Sequence, residues 1–134
     1  AMKTLNTLLN DELTLYLQTW NAHWNVEGPH FAALHDLFAQ QYGELAGLID
    51  EIAERIRALD GRAGTRVSVE QTGAASAAEM LKALEQAHTS LSQKIRQHAI
   101  PEFEQAGDPG TVDLLTRIVQ FHDKAAWMLR ASGR

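Results

Sequence analysis

Four separate stretches of the chain repeat apolar residues every three or four positions, and this period constrains the fold more than any other feature. The stretches cover residues 5–24, 31–59, 80–95 and 115–129. This spacing gathers apolar side chains on one face of an α-helix, which is stable only when packed against other helices. No apolar run approaches the ~20 residues that a membrane-spanning helix needs. The sequence therefore predicts an all-α bundle of four amphipathic helices and no membrane partner.

Glycine and proline indicate where these helices end. Gly28 and Pro29 separate the first two, and we expect Pro29 at the first position of helix two, where a missing N–H costs nothing. Ser76 and Glu79 have the spacing of a capping box at the start of helix three. Residues 60–75 contain several glycines and no clear period, so we interpret them as a crossover along the length of the bundle.

The last two helices are separated in the same way. Pro101 should kink or interrupt helix three, and Gly107 should end it. Asp108 and Pro109 then have the pattern of an N-cap followed by the first helical residue. Four helices with one long crossover between the second and third have the connectivity of a ferritin-like bundle. A chain of 134 residues suits one domain, residues 1–134.

Charge and composition limit the chemistry. The chain has no cysteine, so a bound metal must use His, Asp or Glu. Its net charge is −5, and no Lys or Arg occurs between Lys3 and Arg55, a stretch that contains eight acidic residues. That half of the chain is either ordinary solvated helix surface or a surface that handles cations. Its start lacks the pattern of a signal peptide, so we expect a cytoplasmic protein.

Two pairs of residues are candidate metal ligands. His23 and His35 flank the Gly28 turn, so both imidazoles can face one region, and Asp50 and Glu54 lie four apart on helix two. His35 and Asp50 are fifteen residues apart, which is ~22 Å along a helix, too far to share one ion within a subunit. If two copies of helix two pack antiparallel about a two-fold axis, histidines of one subunit oppose carboxylates of the other.

Such a mixed ligand set suits Fe(II), Mn(II) or Zn(II). The alternative is that these residues have only structural roles. The histidines would then be packed boundary residues, and Glu51 and Glu54 would pair with Arg55 and Arg57 on a solvated helix surface.

Several motifs resemble those of the Dps family of mini-ferritins over nearly the whole chain. They are His-Trp-Asn-Val-Glu-Gly-Pro-His-Phe-Ala-Ala-Leu-His at residues 23–35, Asp50, Ala-Glu-Arg-Ile at residues 53–56, Gly-Asp-Pro-Gly-Thr-Val-Asp-Leu-Leu at residues 107–115 and Ala-Trp-Met-Leu at residues 126–129. The resemblance implies a dodecameric homo-oligomer, a hollow shell that oxidises Fe(II) with hydrogen peroxide or O2. Such a shell stores ferric mineral and protects against oxidative stress.

The resemblance also implies roles for individual residues. His23 and His35 would be catalytic iron ligands from one subunit, and Asp50 and Glu54 ligands from its dimer mate. Asp36 matches a position for mineral nucleation. Asp108 and Asp113 match the acidic region that lines pores for iron, although an N-cap role explains Asp108 equally well. Trp24, beside His23, is either a sacrificial reductant or a packed aromatic.

The chain departs from the family pattern at Ala39, where an Asp usually completes the site. This leaves a second function open, a non-redox shell that sequesters zinc or manganese at a weakened site. A purely structural four-helix module is a third possibility. Ala39, Gly43 and Gly47 form a stripe of small residues that would suit close approach at a dimer contact. The crossover is also shorter than usual in the family and shows no helical pattern.

DNA binding is not expected, although many family members bind DNA through a Lys-rich tail. Only Lys3 precedes the first helical stretch, and twelve copies of a −5 chain would repel the phosphate backbone. We therefore expect no association with the nucleoid.

Overall fold

The computed structural model describes residues 1–69 and 75–134, and in these residues the chain folds into α-helices. The helices are α1 (Met2–Asn25), α2 (Phe31–Ala58), α3 (Ala77–Lys94), α4 (Ile100–Gln105) and α5 (Pro109–Ser132), with a π-helical turn (Ile95–Ala99) between α3 and α4. α1 packs on α2, and α3 packs on α5. The two pairs form the predicted ferritin-like four-helix bundle, in which α3, the π-helical turn and α4 together make the third helix. None of the described helices combines the length and apolarity that a membrane span requires.

The turn between α1 and α2 differs in detail from the prediction. Gly28 has a φ of 120°, which favours glycine, and its carbonyl accepts a hydrogen bond from the N–H of Phe31 at 3.1 Å. The N-cap of α2 is therefore His30, and Pro29 lies in the turn. The prediction that Pro29 occupies the first helical position is wrong, because the turn at Gly28 uses two more residues before the helix begins.

The third helix begins and is interrupted as predicted. Ser76 and Glu79 form both hydrogen bonds of a capping box. Pro101 has no N–H to donate, and in the turn before it the N–H of Ile100 reaches back five residues to the carbonyl of Ile95. The proline therefore interrupts the α-helical pattern with a π-helical turn, and the helix continues beyond it.

Two asparagines of α1 hold the described part of the crossover, residues 61–69, which contains no helix. Asn6 donates to the carbonyl of Arg62 at 3.0 Å and accepts from the N–H of Gly64 at 2.9 Å. Asn10 donates to the carbonyl of Gly64 at 2.9 Å and accepts from the N–H of Arg66 at 2.6 Å. These amides satisfy backbone groups that a helix would pair internally. The rest of the predicted crossover, residues 70–74, lies outside the described residues.

The core consists of two apolar clusters. The first centres on Ile52, Ile56, Phe103, Leu115 and Ile118, and the second centres on Leu15, Phe38, Leu45, Leu84 and Leu129. A buried polar residue separates the clusters on two of the helices. On α1, Glu12 lies between Leu9 of one cluster and Leu15 of the other. On α5, His122 lies between Val119 and Leu129 in the same way.

Candidate metal centre

His23 and His35 lie in direct contact where α1 meets α2. Their imidazole rings stack with centroids 3.7 Å apart and planes inclined by 14°. His23 lies in the last turn of α1, and His35 lies in the second turn of α2. The short turn between the helices therefore brings the two histidines into one region, as their spacing predicted.

The two rings are held by reciprocal hydrogen bonds. Nδ1 of His23 contacts the backbone carbonyl of His35 at 2.7 Å, and Nδ1 of His35 contacts the carbonyl of His23 at 2.7 Å. A carbonyl oxygen only accepts, so each Nδ1 carries the hydrogen. In the neutral imidazole, Nε2 then keeps its lone pair. Metal-binding histidines commonly donate their second ring nitrogen to a carbonyl in this way, which fixes the tautomer and the ring orientation.

Aromatic side chains surround the histidine pair. Phe31 stacks on His35 at 5.1 Å, and Tyr42 approaches His23 edge-on at 5.3 Å. Trp24 is 56% exposed and Phe31 is 43% exposed, so apolar surface lies open beside the two imidazoles. Trp24 stacks obliquely on Trp20 at 5.0 Å, so it packs on a neighbouring aromatic ring while more than half of its surface stays exposed.

Asp50 and Glu54 lie on the exposed side of α2, in its C-terminal half. Within the part of the chain that the structure describes, neither carboxylate has a hydrogen bond or an ion pair. The helix rise puts His35 and Asp50 ~22 Å apart. In the described residues of one subunit, no group of three or more His, Asp or Glu side chains is placed to hold a metal ion. A single subunit therefore carries the histidines and the carboxylates as two separate sets.

The predicted surface pairs of α2 are wrong, because their members bind elsewhere. Glu51 pairs with Arg117 of α5 at 3.0 Å. Arg55 pairs with Asp108 at 2.8 Å. Arg57 donates to the carbonyl of Gly61 at 2.9 Å. These partners on other elements replace the predicted pairs along the helix, and Glu54 forms no ion pair with any of the described residues.

The other predicted acidic sites differ in their surroundings. Asp108 caps α5, accepting from the N–H of Thr111 at 3.1 Å, so the structural interpretation of this residue holds. Its hydrogen bonds from the side chain and N–H of Thr111 and from Arg55 hold the pKa of the Asp108 carboxyl below its ordinary value. Asp113 is exposed and lies 3.5 Å from Arg117, and Asp36 is exposed on α2.

The stripe of small residues lies on the same helix. Ala39, one turn after His35, is partly exposed, and Gly43 and Gly47 are exposed. A Cβ added at either glycine would meet nothing within 4 Å among the described residues. Contacts within the subunit therefore do not explain these glycines.

One polar cluster in the core was not predicted. It consists of His122 and its buried partners Glu12 and His88. The available signal was a charged residue on an apolar face, because Glu12 lies between Leu9 and Leu15 in the repeat.

Comparison with known proteins identifies the family. Residues 2–132 match the sequence profile of the ferritin-like domain family. The chain is 35% identical to a DNA protection during starvation protein of Brevibacillus brevis, over 95% of this chain and 90% of that protein. Among solved structures, Dps from Thermosynechococcus elongatus superposes with a TM-score of 0.90 at 32% identity, covering 97% of this chain and 87% of that one.

The description of a third relative states the metal chemistry of its superfamily. A Dps protein from Vibrio cholerae superposes with a TM-score of 0.90 at 28% identity, over 99% of this chain and 88% of that one. It is described as a member of a broad superfamily of ferritin-like diiron-carboxylate proteins. The profile match and the 35% identical relative each span nearly the whole chain. The protein therefore belongs to the Dps family of ferritin-like proteins.

Proposed function

We propose that this protein is a mini-ferritin with ferroxidase activity. It oxidises Fe(II) with hydrogen peroxide or O2 at a site shared by two subunits, stores the ferric product in a hollow dodecamer and thereby protects the cell from oxidative stress. The observation that supports this proposal is the pair of reciprocal hydrogen bonds between His23 and His35. These bonds give each imidazole a defined tautomer, in which Nε2 is free of hydrogen and can bind a metal.

The shared site follows from the separation of the two ligand sets. His23 and His35 supply nitrogen donors at one end of α2, and Asp50 and Glu54 supply carboxylates toward the other. A two-fold axis across α2 brings the histidines of one subunit to the carboxylates of the next and makes two such sites per dimer. The exposed Trp24 and Phe31 would be covered by the same contact.

The ligand chemistry suits iron as a substrate. Neutral imidazoles and carboxylates together accept Fe(II), and the carboxylate charge stabilises the extra positive charge of Fe(III). The balanced reaction is 2 Fe²⁺ + H2O2 + 2 H⁺ → 2 Fe³⁺ + 2 H2O. Delivering both electrons together avoids the release of a hydroxyl radical. Asp36, Asp108 and Asp113 remain candidates for contacts with iron outside this site.

Ala39 favours a second candidate function. With alanine at this position, the site lacks one oxygen donor, and an incomplete two-metal site is less suited to the paired oxidation. The alternative is a shell that sequesters zinc or manganese at the same ligands without redox chemistry. We retain the ferroxidase as the main proposal, because the sequence contains the four other proposed ligands, His23, His35, Asp50 and Glu54.

DNA binding is not part of the proposed function. The Brevibacillus relative is named for DNA protection, but the 134 residues carry a net charge of −5 and have no Lys or Arg between Lys3 and Arg55. A protein that neutralises few phosphates gains little from counterion release. We expect a cytoplasmic shell that does not associate with the nucleoid.

The test combines particle size with iron oxidation. Light scattering should give a mass near twelve subunits, and peroxide added to the Fe(II)-loaded shell should produce ferric absorbance without a spin-trapped hydroxyl radical. The double change His23→Ala and His35→Ala should abolish the fast oxidation, whereas the exposed His98→Ala should not. A monomer at micromolar concentration, or full activity in the double variant, would refute the proposal.

A further inference from the structure

A chain of buried polar side chains crosses the centre of each subunit, away from the metal centre. Nε2 of His122 lies 2.7 Å from Oε2 of Glu12, and Nδ1 of His122 lies 2.8 Å from Nδ1 of His88. Glu12 and His122 are fully buried, and His88 is 1% exposed. The three residues belong to α1, α5 and α3, so two hydrogen bonds join three helices.

The hydrogen bonds restrict where protons can be. Two facing Nδ1 atoms form a hydrogen bond only when one carries a hydrogen and the other does not. Glu12 lies in an apolar core and needs a counter-charge, which a protonated His122 supplies at 2.7 Å. His122 then donates through Nδ1, and His88 must be the neutral acceptor.

The outer atoms of this series of three side chains have no hydrogen-bond partner among the described residues. These atoms are Oε1 of Glu12 and Nε2 of His88. With one cation on His122 and one anion on Glu12, the three side chains together are neutral. Any further proton would leave a net positive charge in the core, which is costly without a partner.

We propose that Glu12, His122 and His88 form an acid-sensitive lock, which holds α3 to α5 and α1 while His88 is neutral and opens when His88 gains a proton. That proton removes the acceptor lone pair of His88 and places two imidazolium rings in contact. The hydrogen bond between α3 and α5 is then replaced by repulsion, so the centre of the bundle loosens.

Neighbouring groups do not supply His88 with a second counter-charge. On the side of α5, the carboxylate of Asp123 accepts from the hydroxyl of Ser92 at 2.6 Å, and the residue is exposed, so water screens its charge. On the side of α2, Gln41 is neutral and donates to the carbonyl of Ala125 at 3.4 Å.

Two carboxylates in the adjacent turns of α1 and α3 form ion pairs with other residues. Asp11 of α1 pairs with Lys94 at 2.8 Å, and Glu85 of α3 pairs with Arg130 at 3.2 Å. Among the described residues, Glu12 is therefore the only buried carboxylate in the chain of contacts to His88, and His122 already neutralises it.

The electrostatics of His88 agree with this geometry. Burial lowers the pKa of His88 from 6.5 to about 3, with a further contribution from the charge of His122. A histidine whose pKa is lower in the folded state binds fewer protons folded than unfolded. Its contribution to stability is complete above about pH 6.5 and is lost progressively as the pH falls toward about 3.

The first test measures titration in the intact protein. Deuterium exchange at the C2 position of histidine, followed by mass spectrometry, gives a pH profile for each ring. We expect no titration of His88 between pH 7 and 5. A midpoint for His88 near 6.5 in the folded protein would overturn the lock.

The second test compares unfolding of the wild type with His88→Asn, whose amide can keep a hydrogen bond to His122 but does not titrate. Between pH 6 and 5, the unfolding constant of the wild type should rise about five- to tenfold more than that of the variant. The matched control His98→Asn should show a wild-type pH dependence. If His88→Asn does not fold, the titration profile of His88 in the wild-type protein still tests the proposal. Parallel pH curves for wild type and His88→Asn would contradict the proposal.

Discussion

His23 and His35 each donate from Nδ1 to the other's backbone carbonyl at 2.7 Å, so each ring fixes the tautomer and orientation of the other. The carbonyl of His23 lies at the C-terminal turn of α1, where intrahelical donors run out, and His35 satisfies it. The same two contacts therefore close the turn between the helices and fix the orientation of both Nε2 atoms, which we propose as metal ligands.

This double role predicts that folding and metal binding can be separated at His35. The change His35→Asn keeps an N–H at the position of Nδ1 but removes Nε2. We expect thermal stability close to wild type, with a loss of Fe(II) affinity of about tenfold or more, measured by calorimetry under anaerobic conditions. His35→Ala should lose both stability and binding. Wild-type affinity in His35→Asn would show that Nε2 of this residue is not a ligand.

Asp108 should matter for stability more than its exposed neighbour Asp113. Asp108→Ala removes the N-cap of α5 and the partner of Arg55, so we expect a loss of about 1–3 kcal/mol in the free energy of unfolding. The control Asp113→Ala should change stability by less than about 0.5 kcal/mol, because an exposed ion pair contributes little.

The effect of Asp108→Ala should also depend on pH. The pKa of Asp108 is lowered in the folded state, so its contribution is present above the unfolded pKa and is lost as the pH falls through the folded value. Urea unfolding at neutral and acidic pH measures this. A gap between wild type and variant that widens in acid would show that the carboxylate charge is not what stabilises the cap.

Ala39 should limit the rate of oxidation. Restoring a carboxylate with Ala39→Asp adds an oxygen donor one turn from His35, which should strengthen the second Fe(II) position more than the first. Stopped-flow absorbance should then show faster oxidation by peroxide at two Fe(II) per site. Ala39→Asn is the matched control, because it adds a similar volume without charge. An unchanged rate in an intact shell would mean that the site is completed in another way.

DNA binding should be absent near neutral pH and physiological salt. We expect plasmid mobility in agarose to remain unchanged by the protein, because few basic residues are available to contact phosphates. A fusion of a Lys-rich segment to the N-terminus provides the positive control and should retard the plasmid. Retardation by the unmodified protein that weakens steeply with salt would reveal a basic surface of the assembly.

The helices were predictable because their apolar periods are long and are bounded by glycine, proline and a capping box. The position of Pro29 was not, because the period does not determine how many residues the turn at Gly28 uses. The contact between His23 and His35 followed from the short turn, whereas their reciprocal hydrogen bonds depend on side-chain rotamers. Likewise, the period alone could not pair Glu12 with His122, because that contact depends on the register of two helices distant in sequence.

The central claim is that each site combines histidines of one subunit with carboxylates of another. It is tested by mixing His35→Ala subunits with Glu54→Ala subunits, dissociating them and letting them reassemble. In a mixed dimer, one site receives both lesions and the other receives none. Random pairing should therefore restore about one quarter of the wild-type Fe(II) oxidation, although each variant alone is inactive. A reassembled mixture no more active than the average of the two variants, with shells of normal size, would contradict the shared site.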